Sequence, residues 1–540
     1  MISRRNRYLF IISICLVLLV STFRYRPQFS ELELSHTHKF KYKPVPKIVP
    51  DPIIDNFPLA AAAHSPQDLP PIPPWNRPPA EHVPENTPLF IGFTRNWRIL
   101  QQVVVSYITA GWPAEDIYVI ENTGVFDSNA KGLLSLQNPF FLNHTRLHLF
   151  GVNILVTPTL LSFAQLQNYY IWHSIEMGWK QYFWGHMDIV AMSFEDRYVD
   201  PGSSGDGTEK GEKGDVGGAG AGAGAGEDVK NDEMNKYKNF KSLYMSCVQA
   251  LREATKKDDG SSADRRWAMR FFNYDKLALV NVAGFVEIGA WDTQIPYYMT
   301  DCDMHARLNM AGLEIKDAPA GFLIDVGESL NDLYTLYRKS DSPPAAFIDP
   351  QILERKKKKK GKRAAEDAPN ASEAENDIVS RSVDSVFELK RDAAPRPLLA
   401  KDSKSEKREA NETSSKTAWY THLLSPTSPG PRPTSPNNNN TQHTPSDTIN
   451  SPSFTHLLNT LEAMQHTKAA GSHGRNMWQA RQRGGQDDPF YRNAVGFERG
   501  IVMAIDHGKE VFAEKWGHRG CDVWELGLGL GDAWRVERDW

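Results

Sequence analysis

Strand and helix patterns alternate along residues 88–200, and this alternation is the strongest constraint on the fold. Apolar strand patterns cover 88–93, 116–120, 152–156 and 181–184, and helical patterns cover 98–109 and 163–178. Such alternation is typical of an α/β fold with a mostly parallel sheet that carries helices on both faces. In sheets of this kind ligands bind at the carboxyl ends of the strands. The sequence therefore predicts that functional residues follow the strands.

Two tracts have compositions that cannot bury enough apolar surface to fold. Residues 201–232 contain alternating Gly and Ala among charged residues, and residues 339–453 contain five successive lysines, Ser/Pro clusters and four successive asparagines. We predict both tracts to be disordered insertions, and the lysine run to be a solvated linker rather than a patch for nucleic acid or anionic lipid. The predicted catalytic domain then covers 88–338, interrupted by 201–232, and is completed by a C-terminal part over 454–540.

An uncharged apolar run over residues 8–23 follows Arg4, Arg5 and Arg7. As a helix it would span roughly 24 Å, slightly less than the ~30 Å hydrocarbon core of a bilayer. A cleaved signal peptide is the alternative, but no small-x-small cleavage site follows the run. We expect an uncleaved transmembrane anchor with residues 1–7 in the cytoplasm and the body in the Golgi or ER lumen, as in a type II membrane protein. The Pro-rich residues 24–87 then predict an extended stem.

Charge and cysteine usage narrow the function classes. The formal net charge is −4, and the basic residues form no stripe interleaved with aromatic residues, so no nucleic-acid partner is expected. One of the four cysteines, Cys15, lies in the apolar run. Cys247, Cys302 and Cys521 allow at most one disulfide, and their spacing matches no zinc motif. Of four glycosylation sequons, the one at Asn143 lies in sequence predicted to fold.

Polar residues follow three of the predicted strands. Thr94 and Arg95 follow the first, and Glu121 and Asn122 end the second, where an acid and an amide can bind a ribose or a base. The alternative is conformational, because Asn and Gly commonly terminate strands. His186 and Asp188 follow 181–184, and residues i and i+2 of extended chain point the same way. This pair suits Mn²⁺, although a helix-capping Asp beside a hydrogen-bonded His is an equal alternative.

One segment, Tyr297-Tyr-Met-Thr-Asp-Cys-Asp-Met-His-Ala-Arg-Leu, carries a recognisable motif. It resembles a signature of inverting nucleotide-sugar glycosyltransferases with the GT-A fold, notably glycosyltransferase family 2. The matching positions are Asp301, Asp303, Met304, Arg307, Leu308 and Gly312. Thr300 stands where the family has Glu. Apart from the resemblance, Asp301 and Asp303 could be capping residues of a helix over 304–312.

The resemblance implies a role for each candidate site residue. Asp301 would be the base that deprotonates the acceptor hydroxyl. Trp291, Asp292 and Tyr297, just upstream, would line the acceptor side, with core packing as the alternative for each of them. His186 and Asp188 would correspond to the DxD metal motif, with His in place of its first Asp. They would bind Mn²⁺, with His518 as the third ligand. The remaining residues would contact the nucleotide or its phosphates: Thr94, Arg95, Glu121, Asn122 and Arg519. A solvated loop is the alternative for His518 and Arg519.

We therefore predict a metal-dependent glycosyltransferase. It would move a sugar from a UDP- or GDP-sugar to a hydroxyl of a glycan or glycoprotein in the secretory lumen. The first alternative is a catalytically inactive relative that acts as a luminal binding or assembly protein. A sugar nucleotidyltransferase is disfavoured, because the Gly-rich pyrophosphate loop of those enzymes is missing after Phe93.

Overall fold

The computed structural model describes residues 52–198, 239–256, 266–349, 448–470 and 494–540. The predicted cytoplasmic tail, the predicted anchor at 8–23, the insertion at 201–232 and most of the insertion at 339–453 lie outside these residues. Within the described ranges, no helix combines the length and the apolar character needed to cross a membrane.

Nine strands are present in the described residues, and they form two sheets. In chain order they are β1 Leu89–Phe93, β2 Ile117–Glu121, β3 Asn153–Val156, β4 Gln181–Gly185, β5 Ile189–Met192, β6 Trp267–Phe272, β7 Leu277–Asn281, β8 Glu314–Asp317 and β9 Phe322–Asp325. Seven form one sheet in the order β3-β2-β1-β4-β7-β6-β8, and β5 pairs with β9. Four neighbouring pairs of the large sheet are parallel, whereas β7 runs antiparallel to β4 and β6. The predicted mostly parallel α/β sheet is confirmed.

Ten α-helices accompany the strands within the same residues. They are α1 Pro58–Ala62, α2 Trp97–Thr109, α3 Phe126–Ala130, α4 His144–Leu149, α5 Phe163–Glu176, α6 Leu243–Thr255, α7 Val282–Glu287, α8 Thr300–Met310, α9 Pro452–Ala469 and α10 Ala494–Trp516. Each element predicted over 88–200 is observed, with ends displaced by no more than two residues. The start of α5 is an example of a predictable boundary, because Ser162 and Gln165 form a reciprocal capping box there.

The five inner strands of the large sheet are buried on both faces, whereas the edge strands β3 and β8 are partly exposed. Side chains alternate along β1, so that Leu89 and Ile91 pack in one core while Phe90 packs in the other. The first core also contains side chains of α2, α6 and α9, and the second contains those of α5, α7 and α8. Burial of both faces explains why these strands read as continuous apolar runs.

The second half of the predicted stem belongs to the folded domain. Phe57 is fully buried in the first core and Trp75 is 6% exposed. The buried Asn76 side chain donates to the carbonyl oxygen of Thr109 at 2.8 Å and to Glu195 Oε1 at 3.0 Å. This packing cannot be predicted from the Pro-rich sequence, because it depends on a few isolated apolar residues that follow neither helical nor strand periodicity. Residues 24–51 of the predicted stem lie outside the described residues.

A buried ion pair joins the two places where the predicted insertions leave the domain. Glu195 lies shortly before 201–232, and Arg338 directly precedes 339–453. Arg338 Nη2 lies 2.9 Å from Glu195 Oε1, and neither side chain is more than 1% exposed. Burial raises the pKa of Glu195, although Arg338 and Asn76 oppose this shift. Removing one member of such a pair leaves an uncompensated charge in the interior.

We predict that Arg338→Met lowers the free energy of unfolding by about 3–5 kcal/mol, because Glu195 then loses its buried partner. Denaturant unfolding measures the change. Lys131→Met is the matched control, since the Lys131–Asp127 pair is more than half exposed on both sides. An exposed pair contributes about 0–1 kcal/mol. Equal losses in the two variants would contradict the structural role given to Arg338.

Candidate active site

A cleft of about 390 Å³ opens at the carboxyl ends of β1 and β4. These strands are neighbours in the sheet, and β2 and β3 lie on the far side of β1, so the strand order changes direction between β1 and β4. Open α/β sheets bind ligands at such a switch point. Five of the six predicted strand-end residues line the cleft: Thr94, Arg95, Asn122, His186 and Asp188.

Glycine at position 92 lets α5 approach the floor of the cleft. A Cβ atom added at Gly92 would lie 2.6 Å from Leu166 Cδ2 and 2.7 Å from the hydroxyl oxygen of Tyr170. Both partners belong to α5 and also line the cleft. A larger residue at position 92 would therefore push the helix away from the strand and change the shape of the cleft.

Asp301 lies in the first turn of α8 and faces the cleft. Its Oδ2 accepts a hydrogen bond from the hydroxyl group of Tyr274 at 3.2 Å. The residue that precedes the helix is Met299, which has a left-handed φ of 70° and makes no side-chain cap. Tyr274 also has a positive φ, 57°. Non-glycine residues in this region carry backbone strain, which is concentrated at functional sites in proteins.

Asp303, one residue beyond Cys302, has a structural role. Its carboxylate is fully buried, and Oδ2 accepts from Arg307 Nε at 2.8 Å. Oδ1 accepts from the indole N–H of Trp516 at 2.9 Å and lies 2.7 Å from Lys515 Nζ. The interpretation of Asp303 as a helix cap is wrong, since the helix begins three residues earlier. Its carboxylate instead connects α8 to the end of α10.

The predicted acceptor residues divide into two groups. Trp291 and Tyr297 line the cleft, Trp291 from a nearly buried position. Asp292 is turned toward Lys515 Nζ at 2.7 Å and is absent from the lining. Burial would raise the pKa of Asp292, but the hydrogen bond and charge of Lys515 outweigh burial and lower the pKa. Asp292 is thus part of the same Lys515 cluster as Asp303.

A disulfide joins Cys302 to Cys521, and Cys247 remains as a buried thiol. One bridge with one free thiol outside the apolar run agrees with the cysteine count. A small apolar core next to the bridge contains residues of α8, of the loop before it, of α10 and of the C-terminal segment: Ile295, Ala306, Phe512, Trp516 and Val523. The disulfide and this core hold the C-terminal segment against the helix that carries Asp301.

His518 and Arg519 do not line the cleft. The His518 ring lies between two carboxylates, with Nε2 at 2.9 Å from Asp522 Oδ1 and Nδ1 at 2.5 Å from Asp539 Oδ2. The guanidinium group of Arg519 lies 4.6 Å from the ring centroid of Trp540. Both residues belong to the surface of the C-terminal segment, as in the loop alternative.

Glu121 is fully buried and is not among the lining residues. One carboxylate oxygen accepts from Asn129 Nδ2 at 2.7 Å, and the other lies 2.7 Å from His144 Nε2. Its neighbour Asn122 lines the cleft and holds the loop between β3 and α5, accepting from the backbone N–H of Leu161 at 2.7 Å. Glu121 therefore supports the rim that Asn122 shapes.

The predicted metal ligands are not assembled around one point. Asp188 Oδ2 lies 2.8 Å from Lys468 Nζ, and the same ammonium group binds Asp325. His186 Nε2 lies 3.5 Å from Asp275 Oδ2, and His518 lies outside the cleft. In the described part of the chain, no group of three or more His, Cys, Asp or Glu side chains is arranged to hold a metal ion. As they stand, these residues do not fit the predicted Mn²⁺ site.

Electrostatics around His186 and Asp188 follow from these contacts. Burial would lower the pKa of His186, but the hydrogen bond and charge of Asp275 outweigh burial and raise the pKa. Burial would raise the pKa of Asp188, but Lys468 and His186 outweigh burial and lower the pKa. At neutral pH this part of the cleft therefore contains an ionised Asp188 beside a positively charged Lys468.

Sequence reasoning missed most of the ionisable residues that line the cleft, among them Tyr274, Asp275, Lys276, His305, Asp325 and Lys468. Asp325 had a usable signal, because it ends the apolar strand β9 in the way that Glu121 ends β2. Lys468 had no such signal, because a helical hydrophobicity pattern does not distinguish an exposed lysine from one that faces a cleft. Its position depends on how α9 packs in the first core.

Comparison with known proteins gives no assignment: no protein-family model matches the chain, and no curated protein matches it. The inference about function therefore depends on the cleft itself and on the motif around Asp301.

We predict that reduction of the Cys302–Cys521 bridge destabilises the domain by about 2–4 kcal/mol, because the open chain gains conformational freedom when unfolded. Thermal unfolding with and without dithiothreitol measures the change. A Cys302→Ser/Cys521→Ser variant serves as control and should be insensitive to the reductant. An unchanged melting temperature of the unsubstituted protein, with complete reduction shown by mass spectrometry, would contradict the prediction.

Proposed function

We propose that the protein is a nucleotide-sugar-dependent glycosyltransferase of the GT-A type and that Asp301 is its catalytic base. The observation that carries the proposal is the position of Asp301. The residue at the base position of the family 2 motif lies in the wall of a cleft at the switch point of the sheet. Motif and cleft are independent, since one comes from local sequence and the other from strand order.

The proposed reaction gives roles to Asp301 and to Tyr274. Asp301 takes the proton of the acceptor hydroxyl while the acceptor oxygen forms a bond to the anomeric carbon of the donor sugar. The bond from that carbon to the diphosphate breaks, and the nucleoside diphosphate leaves with the electron pair. Tyr274 donates to Asp301 Oδ2 and so fixes the orientation of the carboxylate. No step is assigned to a metal ion.

The lining supports binding of a sugar and a phosphorylated nucleotide. Trp184, Trp291 and Tyr297 offer aromatic surface on one side, and Arg95 and Lys276 contribute positive charge. The cleft volume of about 390 Å³ lies within the range of roughly 300–1,000 Å³ found for small-molecule sites. The buried Trp184 Nε1, Trp291 Nε1 and Thr300 Oγ1 have no hydrogen-bond partner among the described residues. Water or a polar ligand in the cleft is the partner available to them.

A luminal location is part of the proposal. The disulfide between Cys302 and Cys521 supports it, because disulfides persist in the secretory pathway and are rare in the cytosol. In this proposal the apolar run at 8–23 anchors the domain in the Golgi or ER membrane and the acceptor is a glycan or glycoprotein.

We predict that Asp301→Asn lowers sugar transfer by about 10²–10⁴-fold, the usual contribution of a general base. The substitution keeps the shape of the side chain and removes its ability to accept a proton. The full-length protein in detergent is first screened with UDP- and GDP-sugars for donor hydrolysis and for transfer to glycan acceptors. Calorimetry with the nucleoside diphosphate should show binding unchanged within about twofold in the variant.

Asp127→Asn is the matched control, because this carboxylate is 63% exposed and pairs with Lys131 at the surface. It should leave transfer unchanged. Full activity of Asp301→Asn would remove the assignment of the base. Nucleotide binding without any turnover of donor by the unsubstituted protein would favour the alternative of a catalytically inactive luminal binding protein.

A further inference from the structure

Two carboxylates from paired strands meet in the cleft around one lysine. Asp188 precedes β5 and Asp325 ends β9, and the backbone N–H of Val326 donates to the carbonyl oxygen of Asp188 at 2.9 Å. Lys468 Nζ lies 2.8 Å from Asp188 Oδ2 and also binds Asp325 Oδ1. All three residues line the cleft. The ammonium group therefore occupies the position at which a divalent cation would bridge the two carboxylates.

Lys468 is held in this position by the packing of α9. Five apolar side chains of the helix are buried in the first core at helical spacing: Phe454, Leu457, Leu458, Leu461 and Met464. Gln465, one turn before Lys468, accepts from the backbone N–H of Asp325 at 3.1 Å. The stem of Lys468 passes over Gly327, where an added Cβ atom would lie 3.3 Å from Lys468 Cγ. The lysine side chain is only 9% exposed. Core packing and these contacts position the ammonium group.

A divalent cation would compete with this arrangement. To bind Asp188 and Asp325 it would have to displace Lys468 or lie beside its ammonium group, and like charges at such distances repel strongly in a partly buried site. An ammonium group has three donors. Among the described residues, Asp188 and Asp325 accept from two of them, which leaves one donor there for an acceptor in the cleft.

We propose that Lys468 is the fixed cation of the donor site, binding a phosphate oxygen of the nucleotide so that donor binding needs no divalent metal ion. The inference rests on the proposed function and revises its predicted Mn²⁺ dependence. Asp188 and Asp325 then act as positioning residues that hold the ammonium group. The single positive charge of the lysine offsets part of the negative charge of the two carboxylates, where a bridging divalent ion would supply two charges.

Calorimetry of the full-length protein with UDP and with GDP, in EDTA and in Mn²⁺, tests the proposal directly. The nucleotide that binds should do so with affinities that agree within about twofold in the two conditions. Binding that occurs in Mn²⁺ and is lost in EDTA would overturn the role of Lys468 while leaving the proposed function intact. Absence of binding in both conditions would overturn the proposed function and the phosphate role together.

Substitution of Lys468 separates its charge from its packing. Lys468→Met keeps the aliphatic stem and should weaken nucleotide binding in EDTA by about tenfold or more, while electron paramagnetic resonance should show new Mn²⁺ binding at the vacated carboxylates. Lys468→Arg retains a positive charge and should keep metal-independent binding. It therefore shows whether loss of binding in the methionine variant follows from loss of the charge or from any substitution at this position. Lys316→Met is the matched control, an exposed lysine paired with Glu314 that should change neither property. Unchanged nucleotide affinity in folded Lys468→Met would overturn the proposal.

Discussion

The buried carboxylate of Asp303 determines how the site is held together. A fully buried anion is tolerated only when donors compensate it, and here the donors come from Arg307 on the same helix and from Lys515 and Trp516 at the end of α10. The C-terminal segment thus completes the electrostatics of α8. Arg307 extends the cluster by donating through Nη1 to the carbonyl oxygens of Ile288 and Ala290, both at 2.7 Å. The orientation of the helix start beside the cleft consequently depends on residues that lie far apart in sequence.

The switch in strand order and the β5–β9 pair build the cleft from separate parts of the chain. The switch point brings together the ends of β1 and β4, while the small sheet adds Asp188 and Asp325 at one side. Lys468 enters from α9, and Asp301 enters from α8. Acidic and basic groups are therefore contributed by different elements, and the charge of the cleft can be changed at one element without changing the strands that form its floor.

Much of the fold could be predicted from local sequence, and the reason is physical. Strands buried on both faces read as apolar runs, and caps such as Ser162 mark helix starts, so the alternation over 88–200 appears as predicted. The cleft position follows from that alternation and the parallel arrangement. Contacts between distant segments could not be predicted, because no local sequence pattern indicates that Glu121 is buried against His144 or that Asp188 contacts Lys468. Isolated apolar residues such as Phe57 also carry no period, and for this reason the predicted stem extends too far into the domain.

The bridge between Cys302 and Cys521 has a consequence for biosynthesis. The two cysteines are separated by 219 residues, so the helix with Asp301 leaves the ribosome long before the segment that locks it. During that interval Cys302 is a thiol that can be oxidised with the wrong partner, and Cys247 is the nearest cysteine earlier in the chain. Burial of Cys247 in the first core removes this thiol as a competing partner. Production in an oxidising host compartment with a disulfide isomerase should accordingly raise the yield of native protein over production in a reducing cytosol.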